Sequence, residues 1–157
     1  MDATAGRVVA IHTAPTAGAP MVAHDEVRAE AGVGIVGDRY AAGQGHWSPI
    51  HRSGDGLTLI DAAMLDAIEA EYGVAISPID TRRNLTTRGI DLDALVGHEF
   101  TIGDVLARAI RRCEPCSYLD GLLDRNLLPV LVHRGGIRVE VLRSGPIRVG
   151  DAVRAAD

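Results

Sequence analysis

The chain has 157 residues, 46% of them hydrophobic and 24% charged, with a formal net charge of -5. That length fits a single domain spanning residues 1–157 with a real core, and the acidic balance argues against nonspecific nucleic-acid binding. All 16 basic residues are arginine, which excludes side-chain Schiff-base chemistry with a carbonyl or pyridoxal phosphate and favours bidentate recognition of phosphate or carboxylate. No apolar run of about 18 residues is present to span a membrane. The N-terminus MDATAGRVVA lacks the charged lead and apolar stretch of a secretory signal. A cytoplasmic location with reduced thiols is therefore expected.

Residues 7–13, RVVAIHT, read as a strand, and 21–30, MVAHDEVRAE, as a second. A glycine-rich connection follows over 31–56, and connections of that length tend to be functional or mobile. Within it, GIVGDRYA at 34–41 offers two glycines that allow close backbone approach, and it sets Asp38 beside Arg39. This reads as an anion pocket, or as a turn with a surface ion pair. LTLI, 57–60, is a short buried strand running into a helix. Asp61 is placed to cap that helix, Met64, Leu65, Ile68 and Tyr72 fall at helical spacing, and Gly73 suits its end.

The stretch 82–90, RRNLTTRGI, reads as a strand leading into a turn, with Arg82 and Asn84 on one face and Arg83 on the other. A guanidinium beside an amide suits a phosphate next to a heterocycle edge; the same pattern also fits a solvated strand. DLDALVG allows one helical turn, and residues 99–113 read as two strands broken at Gly103-Asp104. SYLDGLLDRNLL reads as a second short helix, capped by Ser117 and Asp120. His133-Arg134-Gly135-Gly136 is a turn or one more anion contact, and 136–155 reads as a hairpin turning at Ser-Gly-Pro. FTIGDVL and IRVGDAV echo one another, as bends in a small closed barrel would. Many short strands with few helices predict a mostly β fold, a closed barrel with helices on its outside.

Both cysteines lie in RRCEPCSYLD, 111–120. A dithiol redox pair, half of a zinc site, and one working thiol beside a packed one are the three readings. Thioredoxin-like folds alternate strands with long helices, which this chain does not. A structural zinc site usually wants a second ligand pair, and there is no other Cys-x-x-Cys. If Ser117 caps a helix, Cys116 stands just before its N-terminus, where free N–H groups and the helix dipole favour thiolate. Thiolate attacks electrophiles and binds soft metals; an inert buried thiol is the alternative. Cys113 ends a strand-like run and reads as an apolar filler.

The order of these segments resembles the MOSC domain family, related to the C-terminal domain of molybdenum cofactor sulfurase. The match runs over about residues 7–154: the GDR loop, LTLIDAAMLDAIEAEYG, RRNLTTRGIDLDALVG, FTIGDVL, CEPCSYL and RGGIRVEVLRSGPIRVGDAV. The resemblance implies a barrel-like β fold that binds molybdenum cofactor, a pterin carrying a dithiolene and a phosphate. It implies that Cys116 supplies a thiolate to molybdenum, and that Arg82 and Asn84 hold the phosphate and pterin end. Asp38 and Arg39 of the GDR loop would stand at the same pocket, with Arg134 as a further anion contact. The implied activities are reduction of N-hydroxylated compounds, with electrons from a separate protein, or carriage of sulfur as a Cys116 persulfide. A non-catalytic module for a phosphorylated metabolite is the reading from another class. The chain is expected to have no room for the extra N-terminal β domain of amidoxime-reducing relatives, and with no lysine it cannot supply the one that some relatives use near the phosphate.

Overall fold

The structure is a computed structural model that describes residues 5–16, 18–39, 41, 56–113 and 135–156. Strands dominate it. In chain order they are β1 (Gly6–Thr13), β2 (Val22–His24), β3 (Glu26–Glu30), β4 (Gly34–Ile35), β5 (Leu57–Asp61), β6 (Leu85–Arg88), β7 (Glu99–Ile102), β8 (Val105–Arg112), β9 (Ile137–Arg143), β10 (Gly145–Arg148) and β11 (Ala152–Ala155). One helix, α1 (Ala62–Tyr72), and two 3-10 turns, Pro78–Thr81 and Asp93–Leu95, complete the described elements.

Seven strands close into a barrel in the order β11-β7-β8-β9-β5-β6-β1. The ring is sealed where β1 meets β11, with Gly6 opposite Val153. Closure removes the exposed edges that an open sheet would present. β2 extends β1 outside the ring, and a smaller sheet runs β10-β3-β4. Alternation sends Val105, Ala107 and Ala109 of β8, and Ile137, Val139 and Val141 of β9, into one core with Leu57, Leu59, Leu85 and Phe100. Val27, Ala29, Ile35 and Ile147 of the small sheet join the same core. Burying an aliphatic side chain of this kind is worth about 1.5–3 kcal/mol, and the barrel interior is filled by side chains.

β5 and β6 are parallel, so a crossover must join them, and α1 lies in it. The helix starts as expected: the Asp61 carboxylate accepts from the Ala63 amide at 2.9 Å. It ends as expected too, with Gly73 left-handed. Its inward face is Ala62, Leu65 and Ile68; Leu65 and Ile68 pack with Ile60 and Ile76, whereas Met64 and Tyr72 face solvent.

Three expectations need correction. The strand over 21–30 is two strands broken at Asp25, β2 serving the barrel and β3 the small sheet. The strand over 82–90 is confined to Leu85–Arg88, because a 3-10 turn and a left-handed Arg82 (φ 57°) precede it. The hairpin over 136–155 does not form. β9 pairs with β5 and β8, β10 pairs with β3, and β11 pairs with β7 and β1. The Ser-Gly-Pro step carries the chain from one sheet to the other, and Ser144 fixes it by accepting the Ala31 amide at 2.8 Å. The Gly103-Asp104 break is real, and it turns β7 into β8. The second short helix expected over SYLDGLLDRNLL lies outside the described residues.

Gly136 shows how tightly β9 enters the barrel. Its φ is 91°, and a Cβ there would stand 1.9 Å from the Leu59 carbonyl oxygen. Gly150 also has a positive φ, 98°, but open space around it. Gly150→Ala should therefore cost about 1–3 kcal/mol for backbone strain alone. Gly136→Ala should exceed about 4 kcal/mol, the range of exceptional substitutions. Urea unfolding of the two variants checks the contrast.

Candidate functional site

The entry to β6 gathers most of the polar residues singled out above. A 3-10 turn with Thr81 bonded to the Pro78 carbonyl (2.7 Å) brings the chain in. Arg82 then takes a left-handed conformation, uncommon for a residue with a side chain. That one residue breaks the alternation expected of a strand. Arg82 is half-buried, and its Nη1 donates to the Ala19 carbonyl at 2.8 Å.

Arg39 braces this turn from behind. It is buried, 4% exposed, and its Nη2 donates to the Arg82 carbonyl at 3.0 Å. Its Nη1 reaches Asp38 Oδ1 at 3.1 Å and Met21 Sδ at 3.6 Å. Asp38 is fully buried and also accepts the Ala14 amide at 3.1 Å, while the Arg39 amide donates to the Ala14 carbonyl at 2.7 Å. The pair is thus an internal strut between the end of β1 and the start of β6, not a surface ion pair. The glycines of GIVGDR have the expected geometry: φ is 126° at Gly34 and 90° at Gly37, and Gly34 abuts the Gly56 carbonyl, which a Cβ would meet at 2.2 Å.

Asn84 is fully buried. Its Oδ1 accepts the Thr58 amide at 3.0 Å and the Thr58 hydroxyl at 3.2 Å, and its Nδ2 donates to the His12 carbonyl at 3.2 Å. Its backbone carbonyl accepts the His12 amide at 2.7 Å. The side-chain amide therefore continues the sheet's hydrogen bonding where the strands have run out. Strand register sets Arg111 opposite Arg138 and Arg138 opposite Thr58, and Asn84 and His12 extend that row across the outer wall of the barrel.

Arg83, expected to face away from the site, has another role. It is buried, 9% exposed, and its Nε donates to the Gly135 carbonyl at 2.8 Å while Nη2 donates to the Cys113 carbonyl at 3.2 Å. The Cys113 amide donates to the Gly136 carbonyl at 2.8 Å. Cys113 itself is a free thiol, 1% exposed. No carboxylate stands within salt-bridge distance of Arg83 among the described residues. Cys116 and Arg134 lie outside the described residues. Among the described residues no cluster of three or more His, Cys, Asp or Glu side chains could hold a bare metal ion. Sequence reasoning brought Arg82, Asn84, Asp38 and Arg39 to one locality; it missed Arg83, Thr58 and His12. A run of two arginines before an asparagine was the available signal, but only tertiary contacts show which arginine turns inward.

Truncating Asp38→Ala leaves the Arg39 guanidinium buried without its carboxylate, a loss of about 3–5 kcal/mol. Asn84→Ala strands the Thr58 amide and the His12 carbonyl, about 1–3 kcal/mol for each group. Chemical denaturation of each variant measures these losses. His12 adds a pH dependence. Among the described residues its buried Nδ1 has no hydrogen-bond partner, and burial, followed by the nearby His24, lowers its pKa below the ordinary 6.5. The unfolded chain then takes up a proton before the folded one does, so this contribution is complete above pH 6.5 and is lost as pH falls below it. Stability measured from about pH 7.5 to about pH 5, which spans the ordinary histidine range, should fall less steeply in His12→Asn than in the parent.

Comparison with known proteins agrees with this architecture. YuaD from Bacillus subtilis superposes with a TM-score of 0.79 at 18% identity, covering 96% of this chain and 95% of that one. YiiM from Geobacillus stearothermophilus gives 0.72 at 15% identity, over 97% and 75% of the two chains. YiiM from Escherichia coli gives 0.66 at 16%, over 96% and 70%. At these identities the likeness is one of fold. None of the curated proteins matches the chain significantly. The model of the MOSC domain matches residues 51–154, well over half of the chain. MOSC domains are associated with molybdenum cofactor binding, and this chain belongs to the MOSC domain family.

Proposed function

We propose that the outer wall around the entry to β6 binds molybdenum cofactor, with Cys116 as the thiolate ligand, in a MOSC-domain protein that reduces N-hydroxylated compounds. The observation that carries this reading is the Arg83 bridge. It ties Cys113 and Gly135, which flank the segment containing Cys116, to the residue next to Arg82. Only two residues, Glu114 and Pro115, separate Cys116 from Cys113, at most about 11 Å of extended backbone.

The donor set fits the group. A soft thiolate suits molybdenum, and a half-buried guanidinium suits a phosphate. Arg82 would hold the phosphate, with Arg134 as a second contact. Asp38 and Arg39 would keep the Arg82 backbone in its left-handed form, and Asn84 would keep the strand ends together beneath the ligand. When bound, the cofactor supplies a metal that can accept an oxygen atom. The chain's part is to bind, to orient and to supply one sulfur, and a separate protein would deliver electrons.

The test is molybdenum per chain in protein made by a host that supplies the cofactor. Wild type and Cys113→Ser should carry it in stoichiometric amount, and Cys116→Ser should lose it. Arg82→Gln should reduce occupancy by roughly tenfold or more, the loss of one charge-assisted hydrogen bond. Full retention in Cys116→Ser removes the assignment. Cyanide-labile sulfur on Cys116 without molybdenum would make the protein a sulfur carrier. A phosphorylated compound retained without either would make it a binding module.

A further inference from the structure

Arg83 leaves the start of β6 and ends on two carbonyls that belong to the approaches of β8 and β9. Cys113 and Gly135 are the residues on either side of 114–134, the stretch that holds Cys116. With the bond from the Cys113 amide to the Gly136 carbonyl, three hydrogen bonds close the base of that stretch. Gly135 admits the arrangement: a Cβ there would stand 2.1 Å from the Cys113 carbonyl oxygen and 3.3 Å from Arg83 Nη2. A buried guanidinium that among the described residues meets only carbonyls carries a desolvation cost that a neutral residue would avoid. Its planar fork, however, holds two acceptors at a fixed separation, which a lysine ammonium does not.

We propose that Arg83 is the positioning residue of the cysteine segment. It fastens Cys113 and Gly135, the described residues on either side of 114–134, to the start of β6, and the chemistry of Cys116 depends on that fastening. The inference rests on the reading of Cys116 as the working thiol.

The experiment compares wild type, Arg83→Gln, Arg83→Lys and Arg88→Gln as full chains. Arg88 is a surface control, 42% exposed and paired with Asp66 at 2.9 Å. Amide hydrogen exchange at Cys113 and molybdenum per chain are read on the same preparations. In Arg83→Gln, exchange at Cys113 should accelerate by roughly tenfold or more, with α1 and β7 unchanged, because opening is local. Molybdenum per chain should fall at least several-fold. Arg83→Lys should lie between, since it can satisfy one carbonyl at a time, and Arg88→Gln should match wild type in both. Unchanged exchange at Cys113 in Arg83→Gln overturns the fastening. Faster exchange with full molybdenum overturns the positioning. If wild type itself takes up no molybdenum, the reading of the site fails while exchange still decides the fastening. Should Arg83→Gln not fold, Arg83→Lys, which keeps the charge, carries the same comparison.

Discussion

Where short strands close into a ring, the backbone groups at their ends are buried without ladder partners, and each must still be bonded. Here side chains do that bonding. Asn84 serves Thr58 and His12, Asp38 serves Ala14, Arg39 serves Arg82, and Arg83 serves Cys113 and Gly135. All six of the groups they satisfy lie around the entry to β6. The polar residues that look like ligand contacts in sequence are therefore first of all the braces of the wall.

This changes how the arginines divide their work. Arg39 and Arg83 are buried and directed at carbonyls or at Asp38, so they shape the site. Arg82 is the half-buried one, and the left-handed backbone that aims it is held by Arg39. A guanidinium has donors enough to brace and to bind, which an ammonium in the same place would not. In a chain with no lysine, both tasks fall to one residue type.

The parts of the fold written in local chemistry were legible. Asp61 and Gly73 delimit α1 because a cap and a left-handed stop act within a few residues. Gly103-Asp104 marks a turn for the same reason, and the repeated period-two pattern marks the barrel strands. What depended on distant partners was not legible. The arms of 136–155 have hairpin periodicity, yet their partners are β5, β8, β3, β7 and β1. Alternation placed Arg82 with Asn84 and turned Arg83 away; the left-handed Arg82 breaks that alternation, and Arg83 is buried against Gly135 and Cys113. The family resemblance named Arg82, Asn84, Asp38 and Arg39, which the structure brings together, but not the tertiary contacts that each of them makes.

The seal between β1 and β11 has a consequence for synthesis. Gly6 must wait for Val153, so the ring stays open until nearly all of this sequence has left the ribosome. Contacts of such long sequence separation make folding slow and leave strand edges exposed meanwhile. Truncation just before β11 should remove more than one strand's worth of order, because β1 and β7 both lose a partner.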